Sequence, residues 1–177
     1  MDPFATLGLE RTYRLDLRAV EKTHRELSRT LHPDRYVGRG ANERREALEK
    51  AVQVNEAWRV VRDPIRRAEA LFTLAGIEVG DTHEPKPAAE LLMDMMEQRE
   101  TLADARGARD AAAVEKLVGT MTARQETIEA DLADAFAASG GEKAKLAPLV
   151  AKLGELRYYR RFLEEASAIL DDLGTPS

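Results

Sequence analysis

Few residues of this chain are suited to moving a proton or holding a metal. The histidines are His24, His32 and His83, and there is no cysteine. Three scattered imidazoles without a thiolate do not make a metal site. The lack of cysteine also removes disulfides and thiol nucleophiles. Glu97 and Glu100 lie one helical turn apart, yet no nucleophile, metal ligand or phosphate-binding loop accompanies them, so a paired-carboxylate catalytic site is a poor reading. One triplet stands out. His32-Pro33-Asp34 closes a segment in which Arg18, Lys22, Arg25 and Arg29 recur at i, i+4, i+7 and i+11, a stripe along one helical face. Alone, the triplet is a helix stop, because proline ends the helix and aspartate turns the chain.

The elements around the triplet are all helical in pattern. Asp2 to Leu7 reads as a short opening helix closed by Gly8, with Phe4 and Leu7 packing over the hairpin of the next two helices. Asp16 caps the basic helix, and Pro33 ends it near Leu31. Leu17, Val20, Leu27 and Leu31 form its apolar stripe, with His24 between them as a partly buried packing residue. After a glycine-marked loop, Asn42 is placed to cap a second helix reaching about Arg62, with Leu48, Ala51, Val52, Val54, Trp58 and Val61 as its buried face. Asp63-Pro64 starts a short helix that Gly76 ends. Residues 76–87 hold two glycines and two prolines with little periodicity and mark a boundary; His83 lies in this linker. Beyond it, helices are predicted over about 88–106, 109–138 and 146–173, with Pro148 tolerable only in a first turn. Short connections favour an antiparallel three-helix bundle. Few aromatic and β-branched residues likewise favour helices over a sheet. The fold class is therefore all-α.

Charge divides along the same line. Residues 1–75 carry 15 basic and 12 acidic residues, and residues 76–177 carry 12 and 20. Opposite signs in the two halves suit two partner surfaces of different electrostatics. The acidic balance counts against a helical nucleic-acid binder, since phosphate binding needs a positive surface. No apolar run can span a membrane, and Met1-Asp2-Pro3-Phe4 does not open a secretory signal. A reducing cytoplasm is the expected location.

The sequences LSRTLHPDRY (27–36) and VNEAWRVVRDPIRRAEALF (54–72) resemble the J-domain pattern, the second in its HscB-family form. The resemblance implies a J domain over 1–75, a linker over 76–87 and a client-binding three-helix bundle over 88–177. It implies no enzyme, but a co-chaperone that stimulates ATP hydrolysis by a DnaK/HscA-type chaperone. Arg18, Lys22, Arg25, Arg29, His32, Pro33 and Asp34 would make that contact, with the stripe meeting an acidic surface. ELLMDMMEQRETLADA (90–105) and GELRYYRRFLEE (154–165) resemble HscB segments that dock an IscU-type iron–sulfur scaffold protein. Leu92, Met93 and Met96 would be the apolar contacts and Glu97, Glu100 and Asp104 the acidic ones. Tyr158 is expected as the docking aromatic, with Tyr159 and Phe162 as alternatives. Periodicity alone lets Leu92 and Met96 serve either core or surface, while Leu91, Met95, Leu102, Leu156 and Phe162 suit the core. No cofactor or metal is implied. A J protein serving another client uses the same J-domain residues.

Overall fold

The computed structural model describes residues 1–80, 85 and 87–174. Among these there are helices and no strand. Asp2 accepts from the Phe4 and Ala5 backbone N–H groups and starts α1 (Pro3–Thr6), with Pro3 at the first helical position. Asp16 does the same for α2 (Leu17–Thr30) through Arg18 and Ala19. A 3₁₀ turn, Pro33–Tyr36, leads to α3 (Ala41–Arg62). Asp63 then caps α4 (Pro64–Leu74) by accepting from Ile65 and Arg66. The second half contains α5 (Ala89–Gly107), α6 (Ala111–Ser139), α7 (Lys143–Leu146), a 3₁₀ turn at Ala147–Val150 and α8 (Ala151–Gly174). Helices α5, α6 and α8 pack on one another as the bundle. Among the described residues, no helix is long and apolar enough to cross a membrane. The linker reading rests partly on residues outside the described ones, His83 among them.

Several local readings are corrected. Asn42 is not a cap: α3 starts at Ala41, with Gly40 at the cap position and no side-chain cap bond. The chain already turns at Gly38, whose φ is +86°. The helix read from 109 begins at Ala111, because Arg109 sits at φ +52° and Asp110 is the cap. The last bundle helix is preceded by α7 and the 3₁₀ turn, which takes up Pro148, so α8 proper starts at Ala151. Leu17 of the α2 stripe is exposed.

The largest correction concerns α3. Leu48 and Val52 are 56% and 61% exposed, while Ala47, Val54, Ala57 and Val61 are buried. The buried spacing of seven, three and four is one continuous face. Alanines at 47 and 57 lie on the face that α3 packs against α1, α2 and the 3₁₀ turn, and Leu48 and Val52 fall outside that face. Trp58 is half-buried at the seam with α2, stacked on His24 at 5.3 Å between ring centres. His24 Nε2 also meets Asn55 Oδ1 at 2.9 Å, so this histidine joins the two helices.

Two apolar clusters hold the molecule together. The first contains Phe4, Leu7, Tyr13, Val61 and Phe72 from the N-terminal helices together with Leu132, Leu146, Leu153 and Leu156 from the other half. The second lies within the bundle and contains Met95, Leu102, Val114, Met121, Tyr159 and Phe162. Ile128 packs against both. At the junction Phe136 stacks on Tyr13 at 5.7 Å and tilts against Phe72 at 5.0 Å. Arg67 is buried there, donating to the Val61 carbonyl at 3.0 Å, with its guanidinium 4.7 Å from the Tyr13 ring centre. Burial pushes the Tyr13 hydroxyl up to about 12, and the charge of Glu129 acts in the same direction. Polar ties run alongside: Arg160 to Asp63 at 2.8 Å, Arg14 to Asp134 at 3.0 Å, and Arg157 to Glu69. For Asp63, burial opposes ionisation, but the Arg160 guanidinium and two backbone N–H groups outweigh it and hold its carboxyl below the usual range.

Stability should reflect this packing. Phe72→Ala should cost about 3–5 kcal/mol by opening the junction. Leu48→Ala should stay within about 0.5 kcal/mol, as an exposed site does; equal losses in urea titrations would place Leu48 in the core after all. Asp63→Asn should cost about 1 kcal/mol near neutral pH through the lost ion pair with Arg160, because asparagine still caps α4. Because folding lowers the Asp63 pKa, its contribution is complete above the ordinary carboxylate range and fades as pH falls through the folded-state value. The gap in melting temperature between wild type and variant should therefore close on acidification.

Candidate functional site

The first surface is the tip of the α2–α3 hairpin. His32, Pro33 and Asp34 are all exposed there, immediately after α2. The Asp34 backbone N–H donates to His32 Nδ1 at 3.3 Å, and the Asp34 carboxylate lies 3.4 Å from the same nitrogen. Nδ1 is thus engaged within the tip, which leaves Nε2 for a partner. Pro33 fixes one backbone dihedral of the turn. The tip is thus a small, pre-shaped group of ring and carboxylate.

Arg18, Lys22, Arg25 and Arg29 are exposed along α2, on the side away from Val20. Arg25 pairs with Glu21 at 2.5 Å; the other three have no acidic partner among the described residues. Three of the four cations of this stripe are thus uncompensated, and a face of this kind favours acidic surfaces through orientation and encounter rate more than through affinity. Beside the tip, Pro33, Tyr36, Arg44, Ala47 and Leu48 line a cleft of about 180 Å³, which is where the outward-turned Leu48 goes.

The second surface lies on the bundle. Leu92, Met93 and Met96 are 49%, 70% and 66% exposed, whereas Met95 on the same helix is 7% exposed. Leu92 and Met96, one turn apart, border a groove of about 290 Å³ with Met95, Arg99, Tyr158 and Arg161. Tyr158 is largely buried and forms a wall of this groove, its hydroxyl donating to the Met95 carbonyl at 2.9 Å. Tyr159 and Phe162 sit inside the bundle core. Burial raises the pKa of Tyr158, so its ring remains neutral across the physiological range. Met93, Glu97, Glu100 and Asp104 follow i, i+4, i+7 and i+11, so the exposed carboxylates form a stripe beside the apolar ridge. Arg99 pairs with Glu165 at 3.8 Å, not with Glu97 or Glu100.

The chain is similar to known proteins over nearly its whole length. The DnaJ domain family matches residues 2–70, and the HSCB C-terminal oligomerisation domain matches residues 87–167. The co-chaperone protein HscB homolog of Bordetella avium is 35% identical over 159 residues, covering 87% of this chain and 94% of that protein. The chain belongs to the HscB family. The co-chaperone protein HscB homolog of Ralstonia nicotianae is 33% identical over 96% of both chains. The structure of chaperone HscB from Vibrio cholerae superposes with a TM-score of 0.83 at 28% identity, covering 98% of this chain and 99% of that one. Human co-chaperone protein HscB, at 23% identity and a TM-score of 0.83, shares the fold.

In this HscB-family chain the structure brings the expected residues into two separate groups, and every expected apolar or acidic contact on α5 is solvent-facing. Arg99 and Arg161 as groove walls were not expected. Their signal in the sequence is weak, because α5 and α8 meet across the bundle and only the assembled bundle sets their register. The Tyr158 hydroxyl supports the groove from within. Tyr158→Phe should therefore cost about 1 kcal/mol by urea titration and leave the groove in place, whereas Tyr158→Ala should remove one of its walls.

Proposed function

We propose that this chain is an adaptor that stimulates ATP hydrolysis by a DnaK/HscA-type chaperone and delivers an IscU-type iron–sulfur scaffold protein to it. The observation that carries the first half is the exposed His32-Pro33-Asp34 tip set at the end of a basic helix face on which only Arg25 has an acidic partner among the described residues. The exposed Leu92, Met93 and Met96 ridge beside the Tyr158 groove supports the second half. Names carried by the relatives, co-chaperone protein HscB among them, agree with the same reading.

The mechanism needs no bond chemistry from this chain. Arg18, Lys22, Arg25 and Arg29 raise the encounter rate with an acidic chaperone face and orient the hairpin. Asp34 then offers a fixed carboxylate that competes for an arginine inside the chaperone, while His32 supplies a polar ring at the same contact. Stimulation requires the tip to bind the hydrolysis-competent state of the chaperone better than the resting state. The client is held meanwhile on the bundle, with Leu92 and Met96 seated in its apolar patch and Glu97, Glu100 and Asp104 meeting its basic residues. Methionine suits such a surface because its side chain is flexible and polarizable.

The deciding experiment is single-turnover ATP hydrolysis by the chaperone, with this chain, with and without the scaffold. Strong stimulation requiring both proteins is the expected result. His32→Gln should abolish stimulation while changing stability by less than about 0.5 kcal/mol, since the side chain is exposed. Full stimulation by that folded variant would sink the assignment of the tip.

A further inference from the structure

The client groove does not end at Arg161. That residue also lines a second cleft, of about 350 Å³, between α4 and α8. Its other walls are Ile65, Arg66, Glu69, Arg157 and Arg160. Arg157, Arg160 and Arg161 share one helical face at i, i+3 and i+4, where like charges repel. Two carboxylates answer two of the cations: Glu69 binds Arg157 and Asp63 binds Arg160. Arg66 and Arg161 are exposed and have no acidic partner among the described residues. Four guanidinium groups thus face two carboxylates, and the positive excess sits at the mouth shared with the apolar groove.

We propose that this cleft takes an acidic segment of the client, so that the client is held across α8 by Arg161 and Arg66 as well as by the Leu92–Met96 ridge; this rests on the client reading of the groove. The charge layout carries the argument. Glu97, Glu100 and Asp104 flank the ridge along α5, and Arg99, Arg161 and Arg66 occupy the groove and the cleft beyond it. A partner that lays basic residues on the first flank and carboxylates on the second binds in one orientation only. Arginine suits the second role because its planar fork takes a carboxylate with two parallel hydrogen bonds. Continuity with an apolar groove points to a protein carboxylate and not to a free anion. Arg66 stands on α4, within the stretch matched by the DnaJ domain family, so the client would touch both halves of the molecule at once.

The test is the affinity of the full chain for the IscU-type scaffold at low and high salt. The paired variant Arg66→Glu/Arg161→Glu should weaken binding about tenfold at low ionic strength and much less at high salt. Arg66→Lys/Arg161→Lys should recover most of it. The melting temperature should stay close to that of the wild type in both, which shows the fold intact. Met96→Ala is the companion variant. If Met96→Ala weakens binding and the charge-reversed pair does not, the acidic-segment inference falls and the client groove stands. If neither does, both fall. If inorganic phosphate at millimolar concentration competes no better than chloride at equal ionic strength, the protein-carboxylate source holds; selective competition by phosphate overturns it in favour of a free-anion site.

Discussion

Asp63 is the point through which the rest of the structure is connected. It closes α3, its carboxylate caps α4, and the same oxygen accepts from Arg160 of α8 at 2.8 Å. One side chain therefore ends the helix that forms half of the hairpin, begins the helix that supports it, and binds the bundle. Pro64 adds the matching constraint, since it cannot continue α3 but suits the first turn of α4. The apolar junction behind it, Phe72, Phe136 and Tyr13, supplies the burial energy, while the ion pairs fix the register of α4 against α8.

This arrangement divides the chain into residues that hold and residues that face outward. On α2, Val20 is buried and His24 is bridged to Asn55 and Trp58, whereas the four basic side chains project to solvent. On α5, Met95, Leu102 and Ala105 enter the core, whereas Leu92, Met93 and Met96 remain outside. An exposed methionine pair next to a leucine has no packing role to explain it. Isolated exposed apolar residues are ordinary, but three within five positions beside a groove form a patch suited to a partner.

How much of this was legible in the sequence depends on the range of each interaction. Asp2, Asp16 and Asp63 announce their helices because a cap involves neighbours two or three positions away. The exposed tip was legible for the same reason. Asn42 misled because a capping side chain is only useful where the backbone turns, and Gly38 and Gly40 had already made that turn. Leu48 and Val52 misled because hydrophobicity ranks them above alanine, whereas the face that α3 turns inward carries the small residues at 47 and 57. The resemblance alone puts Tyr158 ahead of Tyr159 and Phe162; the residues' own spacing leaves the choice open, since the three differ by rotation about α8 and the position of α5 decides which one lines the groove. The ties of Asp63 to Arg160 and Glu69 to Arg157 span roughly half the chain and leave no local trace.

The two surfaces are mechanically related through α8. Arg160 and Arg161 are adjacent, yet the first is bound to Asp63 at the base of the hairpin and the second lines the groove beside Leu92 and Met96. A rigid helix carrying both contacts sets a fixed offset between the hairpin tip and the Leu92–Met96 ridge. An adaptor needs such an offset, because a client delivered at a variable distance from the chaperone is an entropic cost at every encounter. The buried Arg67 and the aromatic junction keep that offset at the expense of a guanidinium held out of water, tolerated because it donates to the Val61 carbonyl and lies over the Tyr13 ring. The function assigned to the two exposed faces therefore depends on the part of the molecule that touches neither partner.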